Sequence, residues 1–236
     1  MDTKYKRILL KVSGEALAGG KGAGFDEPTM EAICRGIKQA YDLGVQIGLV
    51  VGGGNFWRGR SSGSMERTCA DKIGMLATVM NCLAVADQLR QLGVPAQVQT
   101  SIVMPQVAAV FTRDSAVESM EAGNVVLFGG GTGNPLFSTD TASALRAIET
   151  GCDVMFKATM VDGVYDKDPK KYPDAVKYDQ LTFTEVLEKN LAVMDGTAAT
   201  LCRENKLPIL VFDLKDPENI ARAVRGEAVG TLVVEE

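Results

Sequence analysis

Four apolar runs constrain this chain most: RILLKVSG (7–14), VQIGLVVGGG (45–54), NVVLFGGG (124–131) and CDVMFKAT (152–159). Each is nearly continuous in apolar residues rather than alternating, so each reads as a strand covered on both faces. Between them lie segments with helical spacing. EPTMEAICRGIKQAYDLG carries Met30, Ile33, Ile37 and Tyr41 on one face, with Gly44 as its stop. CADKIGMLATVMNCLAVADQLRQLG is a long helix with Ile73, Leu76, Met80, Leu83 and Leu92 near helical spacing. RDSAVESMEAG and TDTASALRAIETG are further helices, and VPAQVQTS is a short strand. Strand and helix in alternation predict a parallel sheet flanked by helices.

After Thr159 the texture changes. MVDGVYDKDPKKYPDAVKYDQ is polar and loop-like; TFTEVLEKNLAVM and DGTAATLCRENK read as helices; LPILVFDL and GTLVVEE read as late strands around the helix PENIARAVRG. There is no internal repeat and no flexible linker. At 236 residues and 46% hydrophobic, the chain suits one α/β domain with two lobes sharing a sheet, about 1–150 and about 151–236.

Composition removes several chemistries. There is no histidine, which excludes Ser-His-Asp and Cys-His catalysis and takes away the commonest transition-metal ligand. The five cysteines, Cys34, Cys69, Cys82, Cys152 and Cys202, are odd in number and contain no CxxC, so neither a disulfide framework nor a structural zinc site is expected. A net charge of −5 without a basic tract speaks against nonspecific nucleic-acid binding. No apolar run approaches ~20 residues, and the N-terminal stretch lacks the region order of a secretory signal, so no membrane partner and a cytoplasmic location are expected.

Three glycine-rich loops follow strands: KVSGEALAGGKGAG (11–24), GGGNFWRG (52–59) and GGGTGNPLF (129–137). In a parallel sheet all three lie at the strands' carboxyl ends, the edge where ligands bind. Glycine lets backbone N–H groups approach an anion, and a helix starting next adds its positive end. The alternative for any one loop is a tight turn; three on one edge favour an anion site. The loops contain neither GxxxxGK[ST] nor GxGxxG, so they match neither common nucleotide fingerprint.

Charged residues stand beside these loops. Lys11 and Lys157 each interrupt the end of an apolar strand, where a lysine either snorkels out or serves an anion. Arg58 follows the second loop and offers a fork of donors to phosphate. Asp140 opens the helix after the third loop, where the helix dipole favours an acid. Two lysines at strand ends on one edge suit phosphoryl transfer, in which catalysis is mostly positioning and charge neutralisation.

YKRILLKVSGEAL, VGGGNFWRG, GMLATVMNCLA, GTGNPLFSTDTASALRAIE and KATMVDGVYDKDP, in this order and spacing, resemble the UMP-phosphorylating bacterial members of the amino acid kinase family. The resemblance runs from Tyr5 to Leu232. It implies a three-layer α/β/α sandwich with a mainly parallel central sheet, and a nucleoside monophosphate kinase reaction, MgATP + UMP giving MgADP + UDP in pyrimidine nucleotide biosynthesis. It further implies that the N-terminal lobe binds UMP and the C-terminal lobe ATP. Lys11, Val12, Ser13 and Gly14 match the ATP phosphate loop; Gly54 and Arg58 match contacts on the ATP side. Thr159, Tyr165 and Asp168 match adenosine-binding positions. Gly53 matches a UMP contact, Asp71 the acid that reads the nucleoside of UMP, and Thr132, Gly133, Asn134, Pro135, Leu136, Phe137, Ser138 and Thr139 the loop that wraps UMP. Lys11, Asp140, Lys157 and Arg58 resemble the catalytic set around the transferring group. The loop reads NPLFST where NPFFTT is common, which keeps an apolar wall and a hydroxyl.

The resemblance also implies Mg²⁺ carried as MgATP, a homohexamer, activation by GTP and inhibition by UTP. Lys21, Gly22, Ala23, Gly24, Phe25 and Asp26 fall where the family has a loop linked to GTP activation; otherwise they form a glycine-rich connector. Two alternatives remain at this stage: a relative that phosphorylates an amino acid or carbamate, and a noncatalytic nucleotide-binding protein on the same fold.

Overall fold

A strand buried on both faces needs helices above and below it, and a right-handed crossover supplies them in turn. The computed structural model describes residues 3–57, 63–191 and 193–235. β1 (Arg7–Val12) leads through α1 (Gly14–Ala18) and one 3₁₀ turn into α2 (Glu27–Asp42) and β2 (Gln46–Val51). α3 (Arg67–Gln91), β3 (Ala96–Thr100), β4 (Ala109–Val110), α4 (Arg113–Glu121), β5 (Val125–Gly129) and α5 (Thr139–Glu149) follow. The second part holds β6 (Val154–Thr159), β7 (Val164–Tyr165), β8 (Lys177–Tyr178), β9 (Gln180–Thr182), α6 (Phe183–Glu188) and α7 (Gly196–Glu204). It closes with β10 (Ile209–Asp213), α8 (Glu218–Val224) and β11 (Gly230–Val234).

Among the described residues, nine strands form one sheet in the order β4-β3-β5-β2-β1-β6-β10-β11-β9. Every neighbouring pair is parallel except β10 and β11. β7 and β8 form a separate antiparallel pair. Side chains alternate across each strand. Ile8, Leu10, Val12, Leu49 and Phe156 meet α2, α3 and α8 through Ile37, Cys82, Val85 and Ile220. Leu9, Val50, Val126 and Met155 meet α4, α5 and α7 through Met120, Ala144, Ala147 and Cys202. The result is the expected three-layer sandwich.

Local signals explain the helix limits. The Asp26 side chain accepts from the Thr29 N–H at 3.2 Å and starts α2. Gly44, at φ +85°, takes the left-handed position that ends it. Burial pushes the thiols of Cys34, Cys82, Cys152 and Cys202 up to about 12, so these behave as small hydrophobes.

The structure departs from expectation in α3. Its large apolar residues at helical spacing point outward: Leu76, Met80 and Leu83 are exposed. The sheet side instead carries Ala70, Ala77, Cys82, Val85, Ala86 and Leu89. Small residues let the helix lie close to β3 and β5, and Val79 comes within 3.1 Å of where a Gly129 Cβ would stand. With a mean hydropathy of 1.4 over its best window, α3 is long and apolar enough to cross a membrane on composition, but its buried stripe packs on the sheet. The helix expected over 182–194 is shorter, because α6 ends at Glu188 and Asn190 adopts φ +49°.

Candidate active site

Strand register makes the first contact. Lys11 in β1 lies opposite Lys157 in β6, on the side of the sheet covered by α5. α5 begins where it does because Ser138 caps it, accepting from the Thr141 N–H at 3.0 Å. That sets Asp140 in the first turn, directly over the two strands. Lys11 Nζ lies 2.9 Å from Asp140 Oδ1, and Lys157 Nζ lies 2.6 Å from Oδ2. The three side chains are 11%, 13% and 15% exposed for Lys11, Lys157 and Asp140.

Burial alone would raise the Asp140 carboxyl. The ammonium groups of Lys11 and Lys157 outweigh it and hold the acid below its ordinary 3.8. Lys157 moves down from its ordinary 10.5, chiefly through burial and with Lys11 adding to it, although Asp140 opposes the shift. Two ammoniums around one carboxylate leave a net positive charge in a largely dry place. An anion at the strand ends would complete the balance, and Lys157 is further fixed by donating to the Val193 carbonyl.

A cleft lies between α3 and the loop joining β5 to α5. It gathers the expected Gly53, Asp71, Thr132, Asn134, Phe137, Ser138 and Thr139, and also Gly54, which was expected on the ATP side but follows Gly53 in the same turn. Gly53 must be glycine, since a Cβ would stand 2.8 Å from the Gly74 carbonyl oxygen. Asp71 accepts from Arg67 Nε at 2.9 Å on both oxygens and from the Leu136 N–H at 2.9 Å. A carboxylate accepts about four hydrogen bonds, so these two donors leave Asp71 with acceptor capacity to spare. The Leu136 bond pins an unusual backbone, for Leu136 is a non-glycine residue at φ +74°. Gly133, at φ +87°, turns the loop, and Leu136 and Phe137 stand exposed at its tip. Pro135 lies between Asn134 and this tip.

A second cleft is lined by Tyr165 and Asp168 together with Gly163, Lys189 and Leu191. The Tyr165 hydroxyl donates to Asp162 at 2.7 Å. Thr159 does not line the cleft; its hydroxyl donates to the Val161 carbonyl at 2.8 Å and shapes the turn leading in. Thr139 borders the first cleft and Asp140 is the next residue; Leu191 borders the second and Val193 holds Lys157. The lysine–aspartate triad is therefore joined to each cleft by a short stretch of chain.

The remaining expected residues fall as follows. Val12 is buried at the end of β1, and Ser13 caps α1. Gly14 touches the second glycine loop so closely that a Cβ would stand 2.2 Å from the Gly52 carbonyl oxygen. Arg58 lies outside the described residues. The 21–26 segment sits away from the triad but contacts the second glycine loop. The Gly24 N–H donates to the Asn55 carbonyl at 3.0 Å, Asn55 Nδ2 returns a bond to the Gly24 carbonyl at 2.9 Å, and Phe25 meets Phe56 edge to face. Lys21 reaches the Phe25 carbonyl and Asp26, while Gly22 adopts φ +74° beside Ala23.

Three participants were not anticipated. Trp57 and Arg67 line the first cleft. Asp195 caps α7 by accepting from the Ala198 N–H at 3.1 Å, and it also accepts from Thr141 Oγ1 at 3.0 Å and from Ser138 Oγ. One acid thus ties the start of α5 to the start of α7. Its capping role is legible in VMDGTAAT, an acid just before a helix. Its reach across 54 positions is not.

Known proteins are similar to this chain in sequence and fold. The amino acid kinase family model matches residues 6–213. The uridylate kinase of Paramagnetospirillum magneticum is 54% identical over 234 residues, covering 98% of both chains. The crystal structure of UMP kinase from Bacillus anthracis superposes with a TM-score of 0.95 at 38% identity, covering 98% of this chain and 97% of that one. UMP kinase from Ureaplasma parvum gives 0.93 at 34% identity over the full length of both. With the sandwich, the strand-end lysines and relatives that match end to end, the chain belongs to the amino acid kinase family.

Proposed function

We propose that this protein is a UMP kinase, transferring the γ-phosphoryl group of MgATP to UMP. The observation that carries this is the buried Lys11–Asp140–Lys157 triad joined to two clefts, with Asp71 and the 132–139 loop facing the first. UMP occupies that cleft in the N-terminal lobe, its nucleoside read by Asp71 and its phosphate directed toward the triad. ATP occupies the cleft around Tyr165 and Asp168 in the C-terminal lobe, with its phosphates against Lys11, Ser13 and Gly14.

A phosphate oxygen of UMP attacks the γ-phosphorus; the bond from that phosphorus to the β–γ bridging oxygen breaks, and ADP leaves. The attacking oxygen is already ionised, so no general base is needed. Lys11 and Lys157 stabilise the charge that builds on the transferring group, and Asp140 holds both ammoniums in place. Arg58 is assigned to the same phosphates. Among the described residues no group of three acid or thiol side chains could cage a metal. We assign Mg²⁺ to the substrate, held by ATP phosphates and water, as this ion prefers.

The reaction places the protein in pyrimidine nucleotide synthesis in the cytoplasm. The outward stripe of Leu76, Met80 and Leu83 on α3 favours self-association, consistent with a homohexamer. The contact between the 21–26 segment and Asn55 offers a route for GTP activation opposed by UTP. A coupled assay of ADP release with MgATP, comparing UMP, CMP, aspartate and N-acetylglutamate with and without GTP, tests the reading. Turnover on UMP alone is expected. Turnover on aspartate or N-acetylglutamate, or on none of the four, would refute it.

A further inference from the structure

The glycine turn that walls the acceptor cleft is closed by one backbone bond of its own, from the Gly133 N–H to the Gly130 carbonyl at 3.1 Å. Gly130, Gly131 and Gly133 stand at φ +79°, +61° and +87°, a region where glycine moves freely, and contacts from outside the turn add to that one bond. The Gly130 N–H donates to Thr78 Oγ1 at 2.9 Å. The Gly131 carbonyl accepts from Ser101 Oγ at 2.9 Å. Behind that serine stands Arg146, from the last turn of α5, with a side chain only 5% exposed.

Arg146 takes no part in the chemistry described above. Its Nη2 donates to Ser101 Oγ at 2.7 Å and reaches the Gly131 carbonyl at 3.4 Å. Its Nη1 donates to the Glu149 carboxylate. The guanidinium carbon lies 3.8 Å from the centre of the Phe111 ring, and among the described residues Nε finds no partner. A buried guanidinium with an unpaired nitrogen is a costly way to fill a helix-to-sheet contact; an apolar side chain would fill it more cheaply. What an apolar residue could not do is fork to a hydroxyl and a carbonyl together while stacking on a ring.

We propose that Arg146 is a positioning residue for acceptor binding. Through Ser101 it fixes the Gly131 carbonyl, and through Phe111 it ties the turn to the segment following β4. The helix that starts at the end of the acceptor loop thus returns, two turns later, to brace the beginning of the same loop. This rests on the assignment of UMP to that cleft.

The test uses steady-state kinetics together with fluorescence of Trp57, the only tryptophan, which lines the cleft and reads UMP binding without turnover. Arg146→Met is expected to raise the KM and Kd for UMP about tenfold while leaving the KM for ATP within about twofold. Ser101→Ala is expected to raise the UMP values about threefold, and the double variant to be no worse than Arg146→Met, because both act on one carbonyl. Arg146→Lys keeps a charge beside Glu149 but cannot fork, so it is expected to behave like Arg146→Met. If Arg146→Met does not fold, Ser101→Ala and Arg146→Lys decide. UMP values near the parent's in both would overturn the proposal, as would equal effects on UMP and ATP. A parent that neither binds nor phosphorylates UMP would instead overturn the assignment of the cleft, and this inference with it.

Discussion

Asp140→Asn removes one charge and almost no volume from a buried set of three. The two ammoniums it separates lie 2.9 Å from Oδ1 and 2.6 Å from Oδ2 of the same carboxylate. Allowing for the span between the two oxygens they stand within about 8 Å of one another, and at an effective dielectric of about 20 two unit charges at that range repel by roughly 2 kcal/mol or more. Breaking a buried ion pair from one side typically costs about 3–5 kcal/mol, which agrees. For a chain of this size each kcal/mol lowers Tm by about 2–4 °C, so at about 3 kcal/mol a fall of roughly 6–12 °C is expected. The kcat should fall about 100-fold or more, because Lys11 and Lys157 lose their common anchor. MgATP should protect the variant more than the parent, since nucleotide phosphates return the missing negative charge. Thermal shift with and without MgATP, beside the coupled ADP assay, measures all three. A Tm within 2 °C of the parent together with a kcat within threefold would refute the triad's role.

Three further outcomes follow from named contacts. Burial lowers the pKa of Lys157 from 10.5 in the free protein, so the alkaline limb of kcat/KM should fall below pH 10.5. Between the lowered value and 10.5 the unfolded chain binds the extra proton, so this group's contribution to stability rises with pH even as activity drops; a flat kcat/KM to pH 10.5 would exclude a cationic Lys157 from the reaction. Asp71→Asn should raise the KM for UMP far more than that for ATP, and equal effects would misplace Asp71. Gly36→Ala puts a Cβ 2.4 Å from the Pro217 carbonyl oxygen, so α2 and α8 must part at a cost of about 1–3 kcal/mol, read as a lower midpoint in urea with an unchanged slope.

The continuous apolar run through Ile8, Leu9 and Leu10 already contained a strand covered on both faces, and Lys11 and Lys157 stood out as charges at strand ends. The stop at Gly44 was legible for a similarly local reason, whereas Asp26 and Ser138 emerged as caps only in the structure. What could not be read was any choice made by a distant partner. Leu76 and Met80 look like core, yet the sheet selected Ala77 and Cys82, because close approach favours small residues over large ones. Short strands such as β4 and β9 carry too few residues to show a period. Asp195 announces a cap but not its second client, and Arg146 reads only as a basic residue near a helix end. Both are defined by tertiary contacts on segments far away in sequence.

β9 joins the sheet only beside β11, and Thr231 of β11 also receives the Val164 N–H at 2.8 Å. Residues 180–182 and Val164 already pack on the core beside Met155 and Val211, but their hydrogen bonds to the sheet wait until residues 230–234 are in place. During synthesis the acceptor cleft can form while the ATP side is still unfinished. The last strand acts as the key for a half that was made long before it, and a nascent chain would hold a nucleotide acceptor site well before it could phosphorylate anything.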